Sequence, residues 1–69
     1  MVTVDAKGLS CPEPVMLAKK AVKKNPSDDV QIVVDDATAR DNILRMARSI
    51  KRTTDVRDID GVYTITLKA

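Results

Sequence analysis

The apolar positions of the chain switch between a period of two and the helical period, and each switch predicts an element. Val2-Thr3-Val4 alternates and predicts a short first strand. Asp5 to Ser10 follows as a loop in which Gly8 permits a positive φ. From Pro14 to about Lys24 the pattern is helical, closed by Asn25-Pro26. Stepping about 100° per residue from Leu17 places Pro14, Leu17, Ala18, Ala21 and Val22 on one arc. Lys19, Lys20, Lys23 and Lys24 fall on the opposite arc, with Met16 among them. This helix should have one packed face and one basic face.

Val30 to Val34 is a second strand, with Val30, Ile32 and Val34 alternating onto one side. Asp35, Asp36 and Thr38 offer capping groups for a second helix, roughly Ala39 to Lys51. Its inner stripe is Ala39, Ile43, Met46, Ala47 and Ile50, flanked by Leu44. Its outer face carries Asp41, Arg45, Arg48 and Arg52, with Asp41 and Arg45 at the favourable i,i+4 spacing. A closing hairpin turns at Asp60-Gly61, the pair preferred by a two-residue type I′ loop. That turn sets Ile59 opposite Val62 and Val56 opposite Ile65. Tyr63, Ile65 and Leu67 then share a face with Val56, while Asp55, Arg57, Thr64 and Thr66 share the other. The order βαβαββ predicts an α/β two-layer sandwich, its sheet covered on one side and wet on the other. Right-handed crossovers would put both helices on one face and join their basic surfaces into one positive side.

Composition narrows the chemistry. With 69 residues the chain has room for one domain, expected to span 1–69. It carries no apolar run long enough for a membrane span, and Met1 to Asp5 lacks the layout of a signal peptide, so a cytoplasmic location is expected. There is no histidine, which removes Cys–His dyads and Ser–His–Asp triads within the chain. One cysteine without histidine cannot supply the ligands of a usual zinc site, so neither metal nor cofactor is expected. Tyr63 is the only aromatic residue and the net charge is only +2, which argues against direct nucleic-acid binding. The lone thiol of Cys11 is the best reactive group.

That thiol stands in Ser10-Cys11-Pro12-Glu13-Pro14, at the junction of loop and helix. Prolines are tolerated in the first helical turn, whose N–H groups have no intrahelical acceptor. The residue before each proline is pushed toward extended geometry, so Cys11 should precede the helix proper. There it would feel the positive end of the helix dipole, which favours the thiolate. Glu13 and Asp5 oppose that effect, while Lys19 and Lys20 offset them. A second thiol for a resolving step is absent, yet a sulfur carrier needs only one. Cys11 could instead be a small buried apolar residue. Asp5 and Gly8 read as shaping the loop that presents it. Met16 either offers an exposed apolar contact beside Cys11 or folds against Gly8-Leu9 to close the core.

These residues resemble a known family. Asp5-x-x-Gly8-x-x-Cys11-Pro12-x-Pro14, followed by Val15-Met16 and a lysine-rich helix, looks like the TusA/SirA/YedF-like sulfur-carrier family. The stretch Asp35-Asp36-Ala37-Thr38-Ala39-Arg40-Asp41 is similar to the family's start of its second helix. The chain departs from the family where a proline often follows the paired acids, here Ala37. It also lacks the glycine that often follows the second helix, here Ile50-Lys51-Arg52-Thr53. The resemblance implies a four-stranded mixed sheet under two helices. It also implies that Cys11 accepts a persulfide from a cysteine desulfurase or rhodanese-type donor, for delivery to a thiol-bearing acceptor protein. Transfer-RNA thiolation and sulfur oxidation are both possible ends of such a relay. On this reading Pro12, Glu13 and Pro14 join Asp5 and Gly8 in shaping the motif. Met16, Lys19, Lys20, Lys23, Arg45 and Arg48 form a docking face. A small basic RNA- or protein-binding adaptor, with Cys11 incidental, is the competing class, and a regulatory partner that binds through the Cys11 loop is a third.

Overall fold

The computed structural model describes residues 1–9 and 12–69. Its elements run β1 (Val2–Asp5), α1 (Glu13–Lys24), β2 (Val30–Val34), α2 (Ala37–Ser49), β3 (Thr53–Ile59) and β4 (Val62–Lys68). The four strands form one mixed sheet in the order β1-β2-β4-β3. β1 runs parallel to β2, and β4 is antiparallel to both β2 and β3. Helix α1 joins the neighbouring parallel strands, and α2 carries the chain past β4 to the far edge. The expected two-layer α/β sandwich, with both helices on one face, is the fold observed.

The core lies where the two layers meet. Val30, Ile32, Val34, Ile65 and Leu67 from the sheet are buried against Pro14, Ala18 and Ala21 of α1 and Ala39, Ile43, Met46 and Ala47 of α2. Alanine on the helix faces lets both backbones approach the sheet closely, while the branched strand residues supply most of the buried volume. The hairpin register is the one set by Asp60-Gly61: Ile59 faces Val62 and Val56 faces Ile65. Both turn residues have positive φ, +51° and +80°, as a type I′ turn requires.

Several expectations change at the edges. Leu17 is 36% exposed rather than part of the packed stripe. It sits on the flank of α1 above β1, a four-residue edge strand with nothing beyond it. Val56 is 37% exposed for the same reason, since β3 is the other edge. Ile50 is 41% exposed because it is the C-cap of α2, where the chain already leaves the helix. Helix α2 starts two residues earlier than expected, with Asp36 alone as N-cap; its Oδ2 accepts from the Ala39 N–H at 3.0 Å. Thr38 lies inside the helix. Asp41 does not pair with Arg45 but with Arg40, at 2.9 Å. Arg52 is drawn off the outer face, donating to the carbonyls of Asp28 at 3.0 Å and Pro26 at 2.9 Å. It thereby ties the end of α2 to the α1–β2 loop.

The end of α2 shows what replaces the missing glycine. The Arg52 N–H reaches the Ala47 carbonyl at 2.9 Å and the Lys51 N–H reaches that of Arg48 at 3.1 Å, the paired bonds of a Schellman motif. The motif needs a left-handed residue, and Lys51 takes that conformation with φ +61°. A side chain there is strained by the clash between Cβ and the following carbonyl oxygen. Ala37, the other departure, is the first residue of α2, a position that proline favours but that alanine also fills without strain. Lys51→Gly should therefore raise the unfolding free energy by about 1 kcal/mol. Urea denaturation measures it, and a lowered midpoint would contradict the strain.

Candidate functional site

The chain reaches the cysteine–proline motif through a loop that is pinned at each step. The Ala6 N–H extends the β1–β2 pairing by donating to the Val33 carbonyl at 2.8 Å, and the Ala6 side chain is buried. Asp5 Oδ1 accepts from the Lys7 N–H at 3.1 Å, a local turn that reverses the chain. Gly8 has φ +79°, a conformation that favours glycine, although a Cβ would meet open space. Its N–H donates to Asp35 Oδ1 at 3.1 Å. Leu9 is half-buried against the core. Ser10 and Cys11 lie outside the described residues, and with them the expected position and dipole environment of the thiol.

Pro12 is the N-cap of α1 and supplies no side-chain cap to the first turn. The Met16 N–H closes the first helical bond, to the Pro12 carbonyl at 3.0 Å. Pro14 is buried and holds this end of the helix on the core, while Glu13 is exposed. Met16 is 62% exposed. It stands on the outer crest of α1 with the exposed residues Lys20 and Lys23, one and two turns further on.

The structure divides the expected docking residues. Lys19 and Arg45 flank an open groove of about 400 Å³ between the first half of α1 and the second half of α2. Pro12, Val15, Asn42, Met46 and Ser49 complete its lining. Arg48 faces the outer side of α2, in a smaller depression with Asp41, Leu44 and Arg45. Lys20 reaches toward the β1 side of α1, beside Leu17, Lys24 and Val4. Arg40 belongs to none of these. Its guanidinium lies 4.7 Å from the centre of the Tyr63 ring, and its bond to Asp41 raises its already high pKa.

Two parts of this site were not anticipated. Asp35 was expected to cap α2, yet it clamps Gly8 across 27 positions of sequence. The signal was present: two acids precede a helix that needs only one cap. The groove was hidden because periodicity marks Met46 as inner-face on α2 and leaves Val15 off the packed stripe of α1, and neither pattern contains the meeting of the two helices.

Two helices on one face of a four-stranded mixed sheet define a small α/β two-layer domain, and the comparisons with known proteins agree. Residues 2–69 match the family model described as sulfurtransferase TusA. The crystal structure of a SirA-like protein from Desulfitobacterium hafniense superposes with a TM-score of 0.92. The two are 35% identical, over 100% of this chain and 97% of that one. The chain belongs to the TusA sulfurtransferase family, whose small domains act as sulfur carriers. Among the described residues, no helix is long and apolar enough to cross a membrane.

Asp35→Ala tests the loop clamp. Removing the carboxylate should cost about 1 kcal/mol locally and speed hydrogen exchange at the Gly8 amide roughly fivefold. Amides of α2 should stay protected because Asp36 still caps that helix. Unchanged exchange at Gly8 would show that the bond does not hold the loop.

Proposed function

We propose that the chain is a single-domain sulfur carrier whose Cys11 accepts, holds and passes on a persulfide sulfur between two proteins. One observation carries the reading: in a chain that matches the TusA family along nearly its whole length, the only thiol immediately precedes Pro12, the N-cap of α1. The Cys11 thiolate attacks the outer sulfur of a donor persulfide. A new S–S bond forms on Cys11, the donor's S–S bond breaks, and the donor departs as its thiolate. Delivery repeats the step with the acceptor's thiolate as nucleophile. Sulfur moves without net oxidation, so neither metal nor general base is needed. A cysteine desulfurase or rhodanese-type protein is the donor class this chemistry fits, and a thiol-bearing protein the acceptor class. Such a relay requires reduced thiols and suits the cytoplasm.

The surface around the motif favours protein partners over nucleic acid. Tyr63, the only aromatic ring, is covered by Arg40 and leaves no free stacking platform. Met16 presents an exposed apolar side chain four residues after Pro12, ringed by Lys19, Lys20 and Lys23. Such a residue can adapt to different partners at little conformational cost.

Incubation with a persulfide donor should add one sulfur atom to the protein, seen as a single mass increment, and Cys11→Ser should abolish it while leaving the fold intact. Retained loading in that variant would sink the carrier reading. Docking to the donor should weaken between low and high ionic strength, since Lys19, Lys20, Lys23, Arg45 and Arg48 are all exposed. Met16→Lys should slow transfer while changing stability by less than about 0.5 kcal/mol. A salt-independent affinity would remove electrostatics from docking, and a loss near 2 kcal/mol would make Met16 a packing residue.

A further inference from the structure

The groove between α1 and α2 differs from the rest of the basic surface in having an apolar floor. Met46 is buried and Val15 half-buried, and both line it; Pro12 closes the end from which the chain runs back to Cys11. Ser49 does not make the floor strongly polar, because its hydroxyl is occupied by the Met46 carbonyl at 2.7 Å. Lys19 and Arg45 stand on opposite walls, one from each helix. Among the described residues neither cation is paired with a carboxylate; the nearby Asp41 is held by Arg40. An apolar trough between two unneutralised cations selects its occupant by charge and by shape.

We propose that this groove seats a short segment of the relay partner in which an aliphatic side chain is flanked by carboxylates. The aliphatic group rests on Val15 and Met46, and the carboxylates meet Lys19 and Arg45. Seating such a segment against Pro12 brings the partner to the motif in a fixed register, which a diffuse positive surface cannot do. Charge then speeds encounter, while the apolar contact sets residence time. The occupant is peptide because carboxylates spaced along a backbone can reach both walls while one side chain fills the trough. The purpose of the site rests on the carrier reading, but its binding can be measured without sulfur.

The test uses the full chain, isotopically labelled and reduced, and amide chemical shifts. The probes are three blocked pentapeptides: Asp-Glu-Leu-Asp-Glu, Asp-Glu-Gly-Asp-Glu and Lys-Lys-Leu-Lys-Lys. The first should give saturable shifts centred on Val15, Lys19, Arg45 and Met46. Replacing its Leu with Gly should weaken binding about tenfold, and the basic peptide should not bind. Lys19→Glu with Arg45→Glu should weaken the first peptide by about tenfold or more, whereas Lys24→Glu with Lys68→Glu should leave it within about twofold. The second pair makes the same change in net charge at exposed positions outside the groove. Equal losses from both pairs would overturn the proposal in favour of diffuse attraction. Equal binding of the Leu and Gly peptides would overturn it as well. So would groove shifts produced by reduced glutathione with the peptide inert, or by raising protein concentration alone, since these assign the groove to a small thiol or to a second copy. Peptide binding kept in Cys11→Ser supports the groove whatever becomes of sulfur loading. Loading without peptide binding rejects the groove and leaves the carrier reading standing.

Discussion

One side of the sheet is the only surface this chain can cover, and the position of everything else follows from how it is covered. Val4, Ile32, Ile65 and Val56 form a row across all four strands. Ile32 and Ile65, in the central strands, are fully buried, whereas Val4 and Val56 at the edges are only partly covered. Two helices are enough to roof the centre, and their alanine faces allow them to lie close to it. Each fully buried Ile or Leu contributes roughly 1.5–3 kcal/mol relative to exposure, so a handful of such residues dominates a domain of this size. The opposite sheet face, with Thr3, Asp55, Arg57, Thr64 and Thr66, needs no roof because its polar groups stay in water.

Because the roof fixes both helices, it also fixes the end of the sheet at which the β1–α1 and β2–α2 loops emerge. β1 and β2 are parallel, so the loop leaving β1 and the acids leaving β2 emerge side by side. Asp36 is then spent on the second helix and Asp35 on the first loop, at 3.0 and 3.1 Å. Both carboxylates accept backbone N–H groups that would otherwise lack a partner. The loop from Asp5 to Gly8 is thus held by backbone N–H bonds to Asp5 and Asp35, and Pro12 and Pro14 sit in the first turn of α1, where no N–H is needed.

The charge on the helices is less uniform than its amount implies. Arg52 is committed to two carbonyls, and Arg40 to Asp41 and the Tyr63 ring. Lys19 and Arg45 face each other across an apolar groove, and Lys20 turns toward the other flank. A basic surface of this kind has distinct regions, each with its own apolar neighbour, so salt sensitivity and specificity need not arise from the same residues.

Much of the fold was written in local pattern. The strands Val30–Val34 and Val62–Lys68, the Asp60-Gly61 turn and the resulting register follow from alternation and from a turn with a single preferred backbone. The Asp36 cap and the opening of α1 at Pro12-Glu13-Pro14 were also legible, because caps and prolines act on neighbours within a few residues. Tertiary structure decided what depends on distant neighbours. Leu17, on α1 above β1, and Val56, on β3, are exposed because both strands are edges, a fact of strand order that periodicity does not contain. Asp35 finds Gly8, and Arg52 finds Pro26 and Asp28, only after the sheet and helices have brought them together. The groove exists only where two helices meet, and its floor joins Val15 of one to Met46 of the other, a pairing neither pattern contains. Local sequence encodes which face is apolar; the packing of one element on another decides which part of that face water can still reach.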